Sequence, residues 1–217
     1  AELCVTSNFT FLTGASHPEE LVTRAAEMGL TAIAITDVNS LAGVVRAYSA
    51  LKELEKEASE AIKIRSAQRF DHSSRQETNT DQGLARPIAP QLPRLIVGAR
   101  LVLQNSPVDW IALPQDRAAY ARLSRLLTLG KRRAEKGGCR LDLDDLIAGG
   151  AGMILIALPH ISSAERQLIS HIQKVVTRFP GHVFLGAAPR YDGSDQSYFK
   201  TCARLAHRTA APMVAVG

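Results

Sequence analysis

Residues 1–47, AELCVTSNFTFLTGASHPEELVTRAAEMGLTAIAITDVNSLAGVVRA, read as strand, loop, helix, strand, loop and the start of a second helix. The apolar runs Leu3–Val5 and Ala32–Ile35 have strand length and are bounded by polar or turn-forming residues. Between them, Ser16 and Glu19 stand at capping-box spacing, and Pro18 falls in the first turn, where its missing N–H leaves nothing unpaired. A helix therefore begins close to Ser16. Gly29 stops it.

The same alternation continues outward. Further strand-length runs at Leu95–Leu103, Trp110–Leu113, Met153–Leu158, Val183–Ala187 and Met213–Val216 bring the predicted strands to seven. Helix-length segments at Pro18–Met28, Ser40–Ala58, Asp116–Leu129, Ser163–Phe179 and Ser194–Ala210 separate most of them, which is the order of a parallel α/β fold, closed into a barrel rather than left as an open sheet. Leu168, Ile169, Ile172, Val175, Val176 and Phe179 recur at three- and four-residue steps and form one apolar stripe that must face a core. One stretch departs from the pattern. Residues 66–93, SAQRFDHSSRQETNTDQGLARPIAPQLP, are polar and proline-bearing, and they read as an exposed loop inserted into a single domain spanning residues 1–217.

Composition agrees with one globular domain: 217 residues, 46% hydrophobic and 22% charged, are enough to bury a large core. No apolar run reaches the roughly 18 residues of a membrane span, and the first residues lack a basic start and a long apolar core, so the expected compartment is the cytoplasm, without a membrane partner. Cys4, Cys139 and Cys202 are widely spaced with no CxxC pair, which fits reduced thiols rather than a disulfide framework or a zinc knuckle. A net charge of +5 and a pI near 9.3 permit a polyanionic partner and equally describe a basic, solvated surface.

Active sites of parallel α/β barrels lie where strands end and loops begin. The first predicted strand ends in Cys4-Val5-Thr6-Ser7, the second in Thr36-Asp37-Val38-Asn39-Ser40 and the third carries Gly98-Ala99-Arg100, while the fourth begins at Asp109-Trp110. On these residues, 1–47 resemble the opening of the PHP family as it occurs at the front of bacterial replicative and error-prone, C-family DNA polymerases. PRLIVGARLVL (93–103) and LPQDRAAYARLSRLLTLGKRRAEKGGCRLDLDDL (113–146) are similar to blocks of the error-prone branch. The resemblance covers nearly the whole chain and implies a distorted (β/α)7 barrel, truncated at its C-terminal end.

In that family the first strand carries His-x-His before a Ser, the second ends in Thr-Asp-His and the third carries Gly-x-Glu, ligands of a two- or three-metal phosphoesterase site. Here Cys4 and Thr6 stand at the two His positions, Val38 follows Asp37 where the third His belongs, and Arg100 replaces the Glu. Asp109 stands where replicative relatives have a His, and Ala188-Pro189-Arg190-Tyr191 occupies the region of a later one. Metal hydrolysis needs imidazoles and carboxylates converging on cations, whereas an arginine brings a fixed positive charge. The expectation is a dismantled site with no metal and no catalytic residue; Cys4, Asp37 and Asp109 are the only set left that would supply a residual one.

Blander readings stand beside these. Asp37 suits a cap for the helix beginning near Ser40, and Cys4 suits a small buried apolar residue. His17 reads as a residue at a helix start, and His72 falls in the polar segment. His160, His171, His182 and His207 have no spacing that suggests a metal site. Lys131, Arg132 and Arg133 with Lys136 form the strongest basic cluster; they read either as a DNA-contact patch or as cations satisfying a helix carboxyl end.

The resemblance implies a structural and interaction module, itself inactive, of an error-prone DNA polymerase used in damage-tolerant synthesis. The parent's palm, fingers and thumb lie outside these residues, and the palm works with Mg2+. Implied partners are the remainder of the polymerase chain, primer–template DNA and accessory proteins of damage tolerance. The rival is an independent metal-dependent PHP phosphoesterase or proofreading exonuclease, and a third reading is a polynucleotide-binding module without enzymology.

Overall fold

Strands whose two faces are both covered read as unbroken apolar runs, and the computed structural model, which describes residues 1–73 and 92–217, finds a strand at each of the seven runs. In chain order the described elements are β1 (Glu2–Val5), α1 (Pro18–Glu27), β2 (Ala32–Ile35), α2 (Ala42–Ser73), β3 (Arg94–Val97), β4 (Ala99–Leu101), β5 (Val108–Pro114), α3 (Arg117–Arg132), α4 (Leu143–Gly149), β6 (Met153–Pro159), α5 (Glu165–Arg178), β7 (Val183–Ala187), α6 (Asp195–Thr209) and β8 (Met213–Ala215). No helix among the described residues is long and apolar enough to cross a membrane.

The strands form two sheets, β1-β2-β3 and β4-β5-β6-β7-β8. The run expected as one strand over Leu95–Leu103 is divided at Gly98, which separates β3 from β4 and so carries the chain from one sheet to the other. A parallel bridge between Val38 and Arg100 also links them. Among the described residues β1 and β8 share no backbone pairing, although the Gly217 N–H donates to Glu2 Oε1 at 3.1 Å.

Several expectations need correction. The fold is not purely parallel: β5 runs antiparallel to both β4 and β6. Residues 102–107 between β4 and β5 are too few for a parallel crossover, which needs a dozen or more residues. Of the segment expected as a loop over 66–93, residues 66–73 are instead the end of α2, and residues 74–91 lie outside the described residues. The cause is local, since residues 52–73, KELEKEASEAIKIRSAQRFDHS, are rich in strong helix formers and contain neither Gly nor Pro. A short helix, α4, also forms between α3 and β6, with the side chain of Asp145 accepting from the backbone N–H of Asp142 at 3.0 Å.

At α1 the cap is displaced by one residue from the predicted one. Glu20, not Glu19, reaches back to the backbone N–H of His17 (2.8 Å), and Glu19 instead pairs with Arg46 of α2 at 2.8 Å. Gly29 has φ 67°, and the Leu30 N–H returns to the Ala25 carbonyl, the glycine-dependent helix stop that the sequence predicts.

Side chains alternate along each strand, so each sheet has a helix-facing and an inward face. Ile33 and Ile35 pack with Val22, Ala25, Ala47 and Leu51 under α1 and α2. Trp110, Ala112, Leu155 and Ala157 pack under the later helices with Leu123, Leu168 and Ile172. The alternate set, Ala34, Ile111, Leu113, Ile156 and Val216, is drawn from both sheets and forms a third apolar cluster between them.

Gly98 sits where these layers meet. A Cβ there would lie 2.5 Å from Leu113 Cδ2, 3.0 Å from Thr36 Cγ2 and 3.1 Å from the Ala112 carbonyl oxygen. Replacing Gly98 with Ala should therefore destabilise the fold by about 1–3 kcal/mol through overpacking, read as a lower urea midpoint at unchanged slope. An unchanged midpoint would mean that the sheets part easily at this junction.

Candidate functional site

Because β5 is antiparallel, its amino end lies at the same mouth as the carboxyl ends of β4 and β6. Asp109 thereby comes beside Arg100 of β4 and His160, which directly follows β6. The Asp109 side chain is 4% exposed, and its Oδ2 accepts from Arg100 Nη2 at 2.6 Å and Nε at 3.0 Å. His160 Nε2 lies 3.2 Å from the other oxygen, Oδ1, which has no aligned hydrogen-bond donor. A buried carboxylate left alone would be costly, so the adjacent guanidinium is the condition for Asp109 to be there.

Asp37 is also buried, and its partners are different. The backbone N–H of Ser7 donates to Oδ1 at 2.8 Å, the Ser7 hydroxyl lies 2.9 and 2.8 Å from the two carboxylate oxygens, and the Thr10 hydroxyl donates to Oδ1 at 2.9 Å. Thr10 Oγ1 in turn accepts from the Val38 N–H at 3.0 Å. The carboxylate thus ties the loop after β1 to the end of β2. Gly43 of α2 closes over it: a Cβ at that position would stand 2.6 Å from Asp37 Oδ2.

This corrects the cap expected of Asp37. The N–H of Ala42 is taken by Ser40 Oγ at 3.1 Å, while Asp37 is engaged with Ser7 and Thr10. Asn39 makes the adjoining link in a left-handed backbone conformation (φ 48°) that asparagine tolerates better than most residues. Its N–H donates to the Arg100 carbonyl, and its Oδ1 accepts from the Val102 N–H.

Among the other ligand positions, Cys4 is half-buried and joins the cluster between the sheets. Burial pushes its thiol above the ordinary range, with the Arg100 charge acting in the opposite direction, so the thiol form is favoured over the thiolate that binds metal. Thr6 and Val38 are half-buried and bring no imidazole or carboxylate. Among the described residues, no three His, Cys, Asp or Glu side chains are gathered so as to hold a metal ion. The donor set does not fit the multinuclear metal site: Arg100 holds a cationic group against Asp109, and Asp37 is enclosed by hydroxyls and a backbone amide.

The basic cluster is divided. Arg133 Nη1 pairs with Asp145 Oδ2 at 2.6 Å, whereas Lys131 and Lys136 line a groove of about 470 Å3 together with Phe9, Phe11 and Asn39 and with Glu135, which offsets part of their charge. Arg132 is exposed on the last turn of α3. Sequence reasoning missed His160, which lacks a partner at metal-ligand spacing. Its signal was its position, immediately past a strand at the mouth.

Comparison with known proteins agrees with this architecture. The model of the PHP domain matches residues 2–205. An error-prone DNA polymerase of Ruegeria pomeroyi is 71% identical over 217 residues, covering all of this chain and 20% of the relative. One from Rhodopseudomonas palustris (strain BisB5) is 37% identical over 215 residues, 99% of this chain and 16% of the relative. The chain thus spans a fifth or less of the length of these two curated relatives. Among solved structures, a protein from Bifidobacterium adolescentis described as a candidate metal-dependent phosphoesterase superposes with TM-score 0.58 at 13% identity, over 99% of this chain and 85% of that one. An amidohydrolase from Chromobacterium violaceum, with bound sulfate and no metal, gives 0.53 at 14% identity, over 100% and 86%. At these identities the likeness is one of fold.

If Asp37 is a structural tie, its loss should be felt in stability. Asp37→Ala should cost about 3 kcal/mol by leaving the buried Ser7 N–H unpaired, and Asp37→Asn less, because its amide oxygen still accepts. Urea unfolding of both variants checks the order. Equal midpoints for Asp37→Ala and the parent would show that the tie carries nothing.

Proposed function

This chain belongs to the PHP domain family, and we propose that it is the metal-free, catalytically inactive module at the front of an error-prone DNA polymerase. The observation that carries this reading is the Arg100–Asp109 pair: a guanidinium occupies the position from which a ligand carboxylate would act, and it already holds the neighbouring carboxylate. In this reading the sheets β1-β2-β3 and β4-β5-β6-β7-β8 are two arcs of one distorted (β/α)7 barrel, and residues 1–217 are a single domain. The apolar cluster shared by both sheets supports it.

The parent enzyme extends primers with deoxynucleotides on damaged templates, with Mg2+ held by a palm that these residues do not include. The module works in the cytoplasm, against the remainder of the polymerase chain, primer–template DNA and damage-tolerance accessory proteins. Its DNA-facing surface is the groove in which Lys131 and Lys136 stand beside Phe9 and Phe11, with Arg132 exposed nearby. Cations for phosphates and aromatic faces for bases are the two elements that single-stranded nucleic acid uses. Arg133, held by Asp145, contributes less.

The test compares two activities of the full polypeptide that carries this domain. Primer extension with deoxynucleotides and Mg2+ is expected. Release of nucleotides or phosphate from DNA ends in Mn2+ or Zn2+ is expected to stay at the level seen in EDTA. Metal-dependent release that falls on Asp109→Asn would overturn the inactive reading and favour a proofreading phosphoesterase.

A further inference from the structure

Away from the mouth, the outward side of α5 carries a row of positive charge. Arg166, Ser170, Lys174 and Arg178 stand four residues apart, all exposed, and so form one ridge along the helix, about 18 Å from end to end. Beside the ridge runs a groove of about 700 Å3, and its apolar lining comes from Ile169 of the same helix and Ile147 of α4. The helices α4 and α5 pack against each other, so the groove is set by two rigid elements.

Among the described residues no carboxylate lines this groove, and Arg166, Lys174 and Arg178 form no ion pair. Glu165, the one acid of α5, is turned to α6, where it pairs with Arg204 at 3.2 Å and Arg208 at 3.1 Å. The Arg178 guanidinium stands 5.1 Å from the ring centre of Phe179, which offers a π face and no counter-charge. Three cations beside an aliphatic lining select a partner with carboxylates at matching spacing and apolar side chains next to them. An acidic amphipathic helix laid along α5 has both. Nucleic acid suits the groove less well than it suits the one at Phe9 and Phe11, because no aromatic ring lines it for a base to stack on. A second copy of this chain is also a poor counterpart: residues 52–63 of α2, its acid-rich helical stretch, interleave Lys with Glu and close them into Lys52–Glu55 and Lys56–Glu60 pairs. Unbalanced charge speeds the encounter of a partner that arrives by diffusion, which a segment tethered in the same polypeptide does not need.

We propose that this groove between α4 and α5 is the docking site of a separate protein, which lays an acidic amphipathic helix along it, with carboxylates on Arg166, Lys174 and Arg178 and aliphatic side chains on Ile147 and Ile169. It uses none of the mouth residues and so stands apart from the metal-free reading. A single helix face is at the small end of specific interfaces, so the association is transient and salt-sensitive.

The probe is a fluorescein-labelled helical peptide with Glu at four-residue steps and Leu along the adjoining row, mixed with the full polypeptide that carries this domain and followed by fluorescence anisotropy. A scrambled peptide of the same composition and a thymidine oligonucleotide are measured beside it. The patterned peptide should bind about tenfold more tightly than its scramble, and less tightly as salt rises. Lys174→Gln together with Arg178→Gln should weaken it roughly tenfold and Ile147→Gln severalfold, while Arg24→Gln on α1 leaves it unchanged, each variant keeping the parent's circular dichroism. Equal binding of the scramble, or equal losses in Arg24→Gln and the double variant, overturns the docking site. Loss of oligonucleotide binding in the double variant, with Ile147→Gln without effect on either probe, assigns the face to nucleic acid and overturns the protein partner. No binding of the patterned peptide to the full polypeptide overturns it too, because the groove is then filled by the same polypeptide or has no capacity for a helix.

Discussion

A carboxylate buried at Asp109 requires a cation, and the β4 side chain of Arg100 supplies it across one strand pairing. Removing either partner of such a pair typically costs about 3–5 kcal/mol, because the other is left charged and poorly solvated. The pair is therefore self-reinforcing. A divalent metal at this mouth would have to displace the guanidinium from the carboxylate it needs, and would find Cys4 held toward its neutral thiol form by burial. What stands at this mouth is an internal electrostatic bond between neighbouring strands.

The second carboxylate of the mouth, Asp37, is also turned inward, onto Ser7 and Thr10. Both acids serve the connections between strands. The apolar layers under the helices contain none of the mouth positions Cys4, Thr6, Asp37, Val38, Arg100 and Asp109, and the layer between the sheets takes in only Cys4. Strand alternation, not metal coordination, sets where the backbone goes, and Gly43 and Gly98 let the chain pass close to the mouth and between the sheets.

Much of this was legible in the sequence, for reasons that also explain what was not. Strands such as β5 and β6 are covered on both faces, so their apolar runs stand out from the surrounding sequence. The same property hid the break at Gly98, because a glycine inside an apolar run leaves the pattern unbroken. The reversal of β5 was written only in the brevity of residues 102–107. The extension of α2 through Ser73 follows from helix propensity in a stretch with little apolar patterning, so a search for apolar stripes ended it too early. At the mouth, residue types singled out Arg100 and Asp109 as positions to inspect, but not that they bind each other or that His160 and Arg190 line one cavity. Those relations span distant positions and exist only once the strands are in register.

The central claim, that an internal ion pair stands where a metal cluster would, is tested most directly by the thermal midpoint of the full polypeptide in EDTA and in excess Zn2+ or Mn2+. Any ligand that binds the native fold alone raises its midpoint, and a site built from buried carboxylates raises it strongly. The account predicts the same midpoint for this domain's transition in both buffers. A metal-dependent rise that disappears in Asp109→Asn would contradict it.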